Sequence, residues 1–358
     1  MAAHAPDLLP SWGDSPSRSA ILDFLCRIAG RHSPDYLPTE ERIAVFDSDG
    51  TFWCEMPRTV EGHFVDARLR TLVPKRPRWR SSEPKRSALL GGWESVSALG
   101  SRAVAELMMA THVGLTTEEF AARVRDWLST TTHPGLGVPY TRCVYQPMRE
   151  LLGLLREHDF ASYLVSGGAV EFTRVFAGEA LGIPPQRVIG STTRTHFEIR
   201  HGVPRLVRDP VVDLFDDRAA KAEVIDRTIG RRPVLCVGNA DGDREMLLWT
   251  TSGRTDGRLA LGVLVHHTDS EREFEYDRET LSNGHLSRCL DEAESRGWVV
   301  VDMRCDWSTI FPEDPERGAI VQVDPRPEPE QAPGRSPLPG LESHLPIYES
   351  PPDTHERG

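Results

Sequence analysis

The sequence contains no paired cysteines. Cys26, Cys54, Cys143, Cys236, Cys289 and Cys305 include no C-x-x-C pair and no short His/Cys cluster at zinc spacing, which excludes a zinc module built on one. They read as reduced thiols, several acting as small hydrophobes in apolar runs. A chain of 358 residues can bury a substantial core without disulfides or structural metals. No run approaches the roughly 18 apolar residues that a membrane span needs. The opening MAAHAPDLLPSWGDSPSR lacks the basic start and apolar stretch of a signal peptide. A soluble, cytoplasmic protein is expected. Basic charge is also short: 42 Lys and Arg stand against 54 Asp and Glu, a net −12. That argues against a general binder of nucleic acid or of a membrane surface. Hydrophobic content is 39%, below the usual ~45–50%.

Proline, by contrast, is plentiful at 28 residues. The composition shifts at Pro312. From there to Gly358 lie 11 prolines, 10 acidic and 4 basic residues, so this stretch carries 4 − 10 = −6 of the charge. Segments such as PRPEPEQAPGRSPLPG have no period and too little apolar surface to offset the entropy of ordering. Residues 312–358 are expected to form a disordered tail. A docking segment is the other reading, with Leu345, Ile347 and Tyr348 as its anchors.

The body alternates strand-like and helix-like segments. Apolar runs bounded by turn residues occur at 43–47, 161–168, 187–193, 233–239, 259–267 and 298–303, as in strands buried on both faces. Amphipathic helices are expected after Gln146, with Pro147 in the first turn, and over about 219–229. This alternation predicts an α/β fold with a doubly wound parallel sheet. Residues 59–139 break the pattern. There Thr116 and Glu119 form a capping box ahead of Phe120, Val124, Trp127 and Leu128 at helical spacing, and a second helix is expected around 93–110. Helices therefore fill an insertion placed directly after the first strand. The expected segments are 1–58 (a helix and the first part of the core), 59–139 (helical), 140–311 (the remaining core) and 312–358.

Four polar clusters fall at strand ends or early in a helix. The first strand runs into Asp47-Ser48-Asp49-Gly50-Thr51, at the carboxyl end of a strand, where open α/β sheets bind ligands. Two carboxylates two residues apart, with a glycine for the turn, can face one phosphorus atom and one cation; Asp-Gly is also a common turn. Ser166-Gly167-Gly168 offers a hydroxyl and backbone N–H groups to a phosphate, or simply a strand-end turn. Lys221 lies early in a helix, where a lysine ordinarily faces solvent. Gly238-Asn239-Ala240-Asp241-Gly242-Asp243 supplies oxygen ligands of the kind Mg²⁺ prefers, although a polar turn has a similar composition.

The order and spacing of these clusters over about 40–311 resemble the haloacid dehalogenase-like (HAD) hydrolase superfamily. FDSDGT with the following FWCE is the most specific element, and GNADGDREML is similar to the acidic loop of the phosphoserine-phosphatase-like branch. The resemblance implies a Rossmann-like HAD core with a helical C1-type cap inserted after the first strand. It implies an enzyme, a Mg²⁺-dependent phosphatase hydrolysing a small phosphorylated metabolite. Asp47 would be the nucleophile that forms an aspartyl-phosphate. Asp49 would protonate the leaving oxygen and then activate water. Ser166, Gly167 and Lys221 would bind the phosphoryl group. Asp47, the Asp49 carbonyl, Asn239 and Asp243 would hold Mg²⁺. Dehalogenating members lack the second aspartate, so Asp49 favours phosphoryl transfer. A phosphotransferase or mutase of the same fold, or a non-catalytic phospholigand-binding protein, is the alternative.

One departure is Asn239, where the family often has Asp: its uncharged amide should weaken metal affinity. Asp241 is either a compensating carboxylate or a solvent-facing one, the latter being favoured. Residues 68–86 hold Arg68, Arg70, Lys75, Arg76, Arg78, Arg80, Lys85 and Arg86 against Glu83 alone, 8 − 1 = +7. This run, which includes Trp79, is a solvated loop or an attractor for an anionic substrate or the acidic tail. Arg174 is a second candidate for substrate anions. The pair His266-His267 ends a strand, and adjacent strand residues point to opposite faces, so a structural role is expected rather than a metal site. Oligomeric state is not legible.

Overall fold

The computed structural model describes residues 8–279 and 284–312; the tail expected over 312–358 lies outside them apart from Pro312. Seven strands form one sheet: β1 (Ile43–Phe46), β2 (Ala161–Ala169), β3 (Val188–Arg200), β4 (Val203–Leu214), β5 (Leu235–Gly238), β6 (Leu261–His266) and β7 (Val299–Asp302). Their order is β4-β3-β2-β1-β5-β6-β7. Every neighbouring pair is parallel except β3 with β4. The chain builds outward from β1 through β2, β3 and β4, then returns to place β5 on the other side of β1. That reversal puts a topological switch point between β1 and β5, where such sheets leave a crevice at the strands' carboxyl ends.

Helices cover both faces of the sheet. They are α1 (Pro16–Ala29), α2 (Val60–Leu72), α3 (Lys85–Ser97), α4 (Ser101–His112), α5 (Thr117–Thr130), α6 (Gln146–Glu157), α7 (Val170–Phe176), α8 (Ala219–Ile229), α9 (Arg244–Thr251), α10 (Arg288–Arg296) and the short α11 (Met303–Asp306). The two-residue period of a strand sorts the core into two clusters. Ala44 and Phe46 of β1 join Ile21, Phe24, Leu151 and Leu155 on one face. Val45 joins Val224, Ile225, Met246 and Leu247 on the other. Continuous apolar strands follow from burial on both sides.

Residues 59–139 contain α2 to α5 and add no strand to the sheet. Thr116 and Glu119 do form a reciprocal capping box at the start of α5. The helix expected at 93–110 is two helices, α3 and α4, separated at Gly100, whose φ of 94° no ordinary helical residue adopts. Val65, Leu69, Val96 and Leu107 form a small core among α2, α3 and α4. β3 and β4 form a hairpin. β3 and β4 pair from Thr192 with Leu214 to Arg200 with Val203, around a His201-Gly202 turn with both φ angles positive. Residues 114–116 bond to the outer edge of β4 through Gly114 N to Arg208 O and Arg208 N to Leu115 O. Among the described residues, no helix is long and apolar enough to cross a membrane.

Candidate active site

Asp47 is the first residue beyond β1, and its N–H donates to the Val237 carbonyl of β5 at 2.9 Å. The chain then turns sharply. Gly50 has φ 73°, and a Cβ there would lie 2.0 Å from Asn239 Nδ2 and 2.3 Å from Glu55 Oε1, so position 50 admits only glycine. The Asp49 carboxylate accepts from Trp53 Nε1 at 3.0 Å. The Gly50 carbonyl accepts from His267 Nε2 at 2.7 Å, and the other ring nitrogen faces Glu273 Oε2 at 3.1 Å. Buried His267 thus clamps the turn, while His266 faces Asp277, the structural role expected for the pair.

Lys221, in the first turn of α8, is buried rather than solvated. Its Nζ lies 2.5 Å from Asp47 Oδ1 and 2.7 Å from Asp243 Oδ1. The second oxygen of Asp243 accepts the N–H groups of Asn239 and Ala240, bracing the loop after β5. Burial alone would push the lysine's pKa down, but Asp243 and Asp47 outweigh it and hold the ammonium well above its ordinary range. Burial and the neighbouring Asp243 raise Asp47, against the pull of Lys221. Burial also carries Asp49 up to about 6, opposed by the Trp53 hydrogen bond and Lys221.

These groups line a cavity of about 390 Å³. Asp47, Asp49, Lys221, Asn239 and Asp243 meet there with Gly167 and Gly168, while the 59–139 segment contributes Thr59, Glu61, Trp93, Val104 and Met108. The Ser166 hydroxyl is not part of this lining; it accepts the Gly168 N–H at 3.1 Å and closes its own turn. None of residues 68–86 lines the cavity. Several of those side chains are engaged elsewhere: Arg70 with Asp66, Lys85 with Glu106, Arg86 with Glu83, and Arg76 over the Trp79 ring. Arg174 likewise turns away and donates to the Pro185 carbonyl. The Asp241 side chain, expected to face solvent, accepts the N–H groups of Ser287, Arg288 and Cys289. It caps α10, and those three bonds hold its pKa low against partial burial.

Sequence reasoning missed three lining residues. Arg218 is a cavity cation at the start of α8, with an unusual φ of 53°. Glu61, in the first turn of α2, accepts the Ala169 N–H at 2.7 Å through Oε2, while its buried Oε1 has no hydrogen-bond partner among the described residues. Burial pushes this carboxyl up to about 8. Glu55 is buried against Asn239 and Tyr276. Burial and the repulsion of Asp49 and Asp47 hold it well above the usual carboxylate range. FWCE contains Glu55 but no signal of its partner, since Asn239 is 184 residues away.

The donor set fits a hard divalent cation. Seven carboxylates line the cavity (Asp47, Asp49, Glu55, Glu61, Asp217, Asp241 and Asp243) against Lys221 and Arg218. Carboxyl groups thus outnumber cations in the lining, and oxygen donors are what Mg²⁺ takes. Among the described residues, no three His, Cys, Asp or Glu side chains are grouped to hold an ion by themselves. A cation here would need donors beyond such side chains, and Asn239 lies in the same lining.

A family model described as haloacid dehalogenase-like hydrolase matches residues 44–248. The chain belongs to this family. Its matched span runs from β1 past the Asp243 loop and takes in every HAD motif residue named above. Among solved structures, a conserved functionally unknown protein from Anaerococcus prevotii DSM 20548 is similar at a TM-score of 0.54 and 16% identity, covering 83% of this chain and 94% of that one. A protein with unknown function from Bordetella pertussis Tohama I has a TM-score of 0.48 and 16% identity, covering 74% and 99%. A phosphoserine phosphohydrolase-like protein from Francisella tularensis subsp. tularensis SCHU S4 has a TM-score of 0.36 and 16% identity, covering 71% and 98%. At 16% identity the first of these likenesses is one of fold alone. No curated protein matches the chain.

Proposed function

We propose that this HAD-family hydrolase is a Mg²⁺-dependent phosphatase that cleaves a small phosphate monoester through an aspartyl-phosphate on Asp47. The observation that carries this reading is the position of Lys221, bonded to both Asp47 and Asp243 in a cavity that Asp49 also lines. A lysine so placed orients the Asp47 carboxylate and offsets charge on a bound phosphoryl group.

An oxygen of Asp47 attacks phosphorus, and the bond to the ester oxygen breaks. Asp49, protonated, gives its proton to that leaving oxygen. The resulting Asp49 carboxylate then takes a proton from water as the water attacks phosphorus, freeing phosphate and restoring Asp47. The Trp53 indole holds the Asp49 side chain in place for both steps. Gly167 and Gly168 offer phosphoryl contacts in the cavity, with Ser166 shaping their turn. The Asp47 carboxylate, the Asp49 carbonyl and the Asn239 amide oxygen would hold Mg²⁺, with Asp243 bracing the loop. Bound there, Mg²⁺ supplies charge neutralisation between nucleophile and phosphate. The 59–139 helices act as a C1-type cap whose Trp93, Val104 and Met108 exclude water from a small substrate.

The test is p-nitrophenyl phosphate hydrolysis with Mg²⁺ and after chelation, in wild type and Asp47→Asn. Turnover is expected only with the metal, and the variant should lose roughly 10³-fold or more. Undiminished activity in the variant would contradict the mechanism.

A further inference from the structure

β2 leaves its ladder where it meets the cavity. Ser166 pairs with Gly190 of β3 and Ala169 pairs with Ser191, so Gly167 and Gly168 bulge out between two consecutive partners. Both glycines line the cavity. Three hydrogen bonds fix the bulge. Ser191 Oγ donates to the Gly167 carbonyl at 2.7 Å and itself accepts the Asp216 N–H at 2.9 Å. Ser166 Oγ accepts the Gly168 N–H at 3.1 Å. Glu61 Oε2 accepts the Ala169 N–H at 2.7 Å.

The first two of these bonds come from the sheet itself, whereas the third comes from α2 in the 59–139 segment. Thr59 Oγ1 accepts the Gly62 N–H and fixes the turn of α2 that carries Glu61. Glu61 and Ala169 are 5% and 7% exposed, so loss of the carboxyl group would leave a buried N–H without an acceptor. The fit is also close: a Cβ at Gly168 would lie 2.5 Å from Glu61 Oε2. Backbone groups of such a bulge receive an anion only while their directions are held.

Resting on the phosphatase reading for the identity of the ligand, we propose that Glu61 is a positioning residue for the phosphoryl group. From the cap side it holds the Gly167-Gly168 bulge in the shape that presents its backbone to phosphate. The role requires an accepting oxygen rather than a charge, because an amide oxygen takes an N–H as a carboxyl oxygen does. Glutamine therefore replaces Glu61, and a side chain of similar size without an oxygen does not.

The test is the binding of inorganic phosphate to the Mg²⁺-loaded full chain by isothermal titration calorimetry, with Mn²⁺ affinity measured alongside. Glu61→Met should weaken phosphate by about tenfold or more, the scale of a buried donor left unsatisfied. Glu61→Gln should stay within about threefold of wild type. Mn²⁺ affinity should stay within about twofold in both, and hydrogen exchange of the 166–171 peptide should quicken only in Glu61→Met. Wild-type phosphate affinity in Glu61→Met would overturn the proposal, as would an equal loss in Glu61→Gln. A parallel loss of Mn²⁺ affinity would do so too, since it marks general damage to the site. Should Glu61→Met fail to fold, Gly168→Ala keeps Glu61 but sets a methyl against it, and undiminished phosphate affinity there would overturn the proposal equally. Wild-type protein that binds phosphate without hydrolysing p-nitrophenyl phosphate would defeat the phosphatase reading and leave this one standing. Hydrolysis with phosphate affinity untouched in Glu61→Met would do the reverse.

Discussion

Lys221 Nζ lies 2.5 Å from Asp47 Oδ1, joining two buried side chains 174 residues apart. The first turn of α8 is thereby tied to the end of β1. Replacing Lys221 with methionine leaves Asp47 and Asp243 without their shared cation. Urea unfolding should show a loss of about 3 kcal/mol at pH 7, the scale of breaking a buried pair from one side. Because the native state raises the lysine's pKa, its contribution is fully present below the unfolded value and disappears as pH climbs past the native one. The loss should therefore persist across the neutral range. A variant as stable as wild type would show that the contact contributes nothing.

Gly50→Ala tests the turn that separates Asp49 from Thr51. The new methyl would meet the Asn239 amide at 2.0 Å in a backbone with φ 73°. The strain alone should cost about 1–3 kcal/mol, and displacing Asn239 should lower Mn²⁺ affinity as well. Thermal denaturation and metal titration on the same protein check both effects.

Glu61 makes the pH dependence specific. Burial lifts its carboxyl from an ordinary 4.5 to about 8 in the native state, so folding favours the protonated form. The stability it contributes is fully present below pH ~4.5 and lost as pH rises towards 8. Glu61→Gln removes that dependence. Its melting temperature relative to wild type should increase through this window and level off above it, by an amount worth a few kcal/mol at most. A difference that stays constant from pH 4.5 to 8.5 would contradict a buried protonated Glu61.

Asp241→Ala separates a helix cap from a metal ligand. Removing an acceptor of three backbone N–H groups at the start of α10 should cost about 1 kcal/mol of stability. Mn²⁺ affinity should remain within about twofold of wild type. A large fall in affinity with stability unchanged would return Asp241 to the metal shell.

The strands that form the sheet's centre were legible because burial on both faces leaves unbroken apolar runs, and FDSDGT marked the end of β1 by its own chemistry. Lys221 was found only through its place in the motif order, since burial inside a helix of mixed charge leaves no local signature. Glu55, Glu61 and Arg218 were not legible. Glu55 and Glu61 are single polar residues whose partners are distant in sequence, no spacing rule connects Glu55 to Asn239, and Arg218 beside Asp217 reads as an ordinary surface pair. The basic run at 68–86 left two readings open, a solvated loop or an attractor for anions, and none of its residues lines the cavity. Ser166 and Asp241 show that a residue in the expected position can point its polar atoms into a turn or a helix end instead.

The account stands or falls on Asp47 as the acceptor of the phosphoryl group. Asp49→Asn protein slows the water-activating step, and mixing it with p-nitrophenyl phosphate and Mg²⁺, followed by acid quench and peptide mass spectrometry, reads that event directly. The predicted result is a phosphoryl group on the peptide containing Asp47, dependent on substrate and absent in Asp47→Asn/Asp49→Asn. Release of p-nitrophenol by the Asp49→Asn protein with that peptide unmodified, or with the label on another residue, would contradict it.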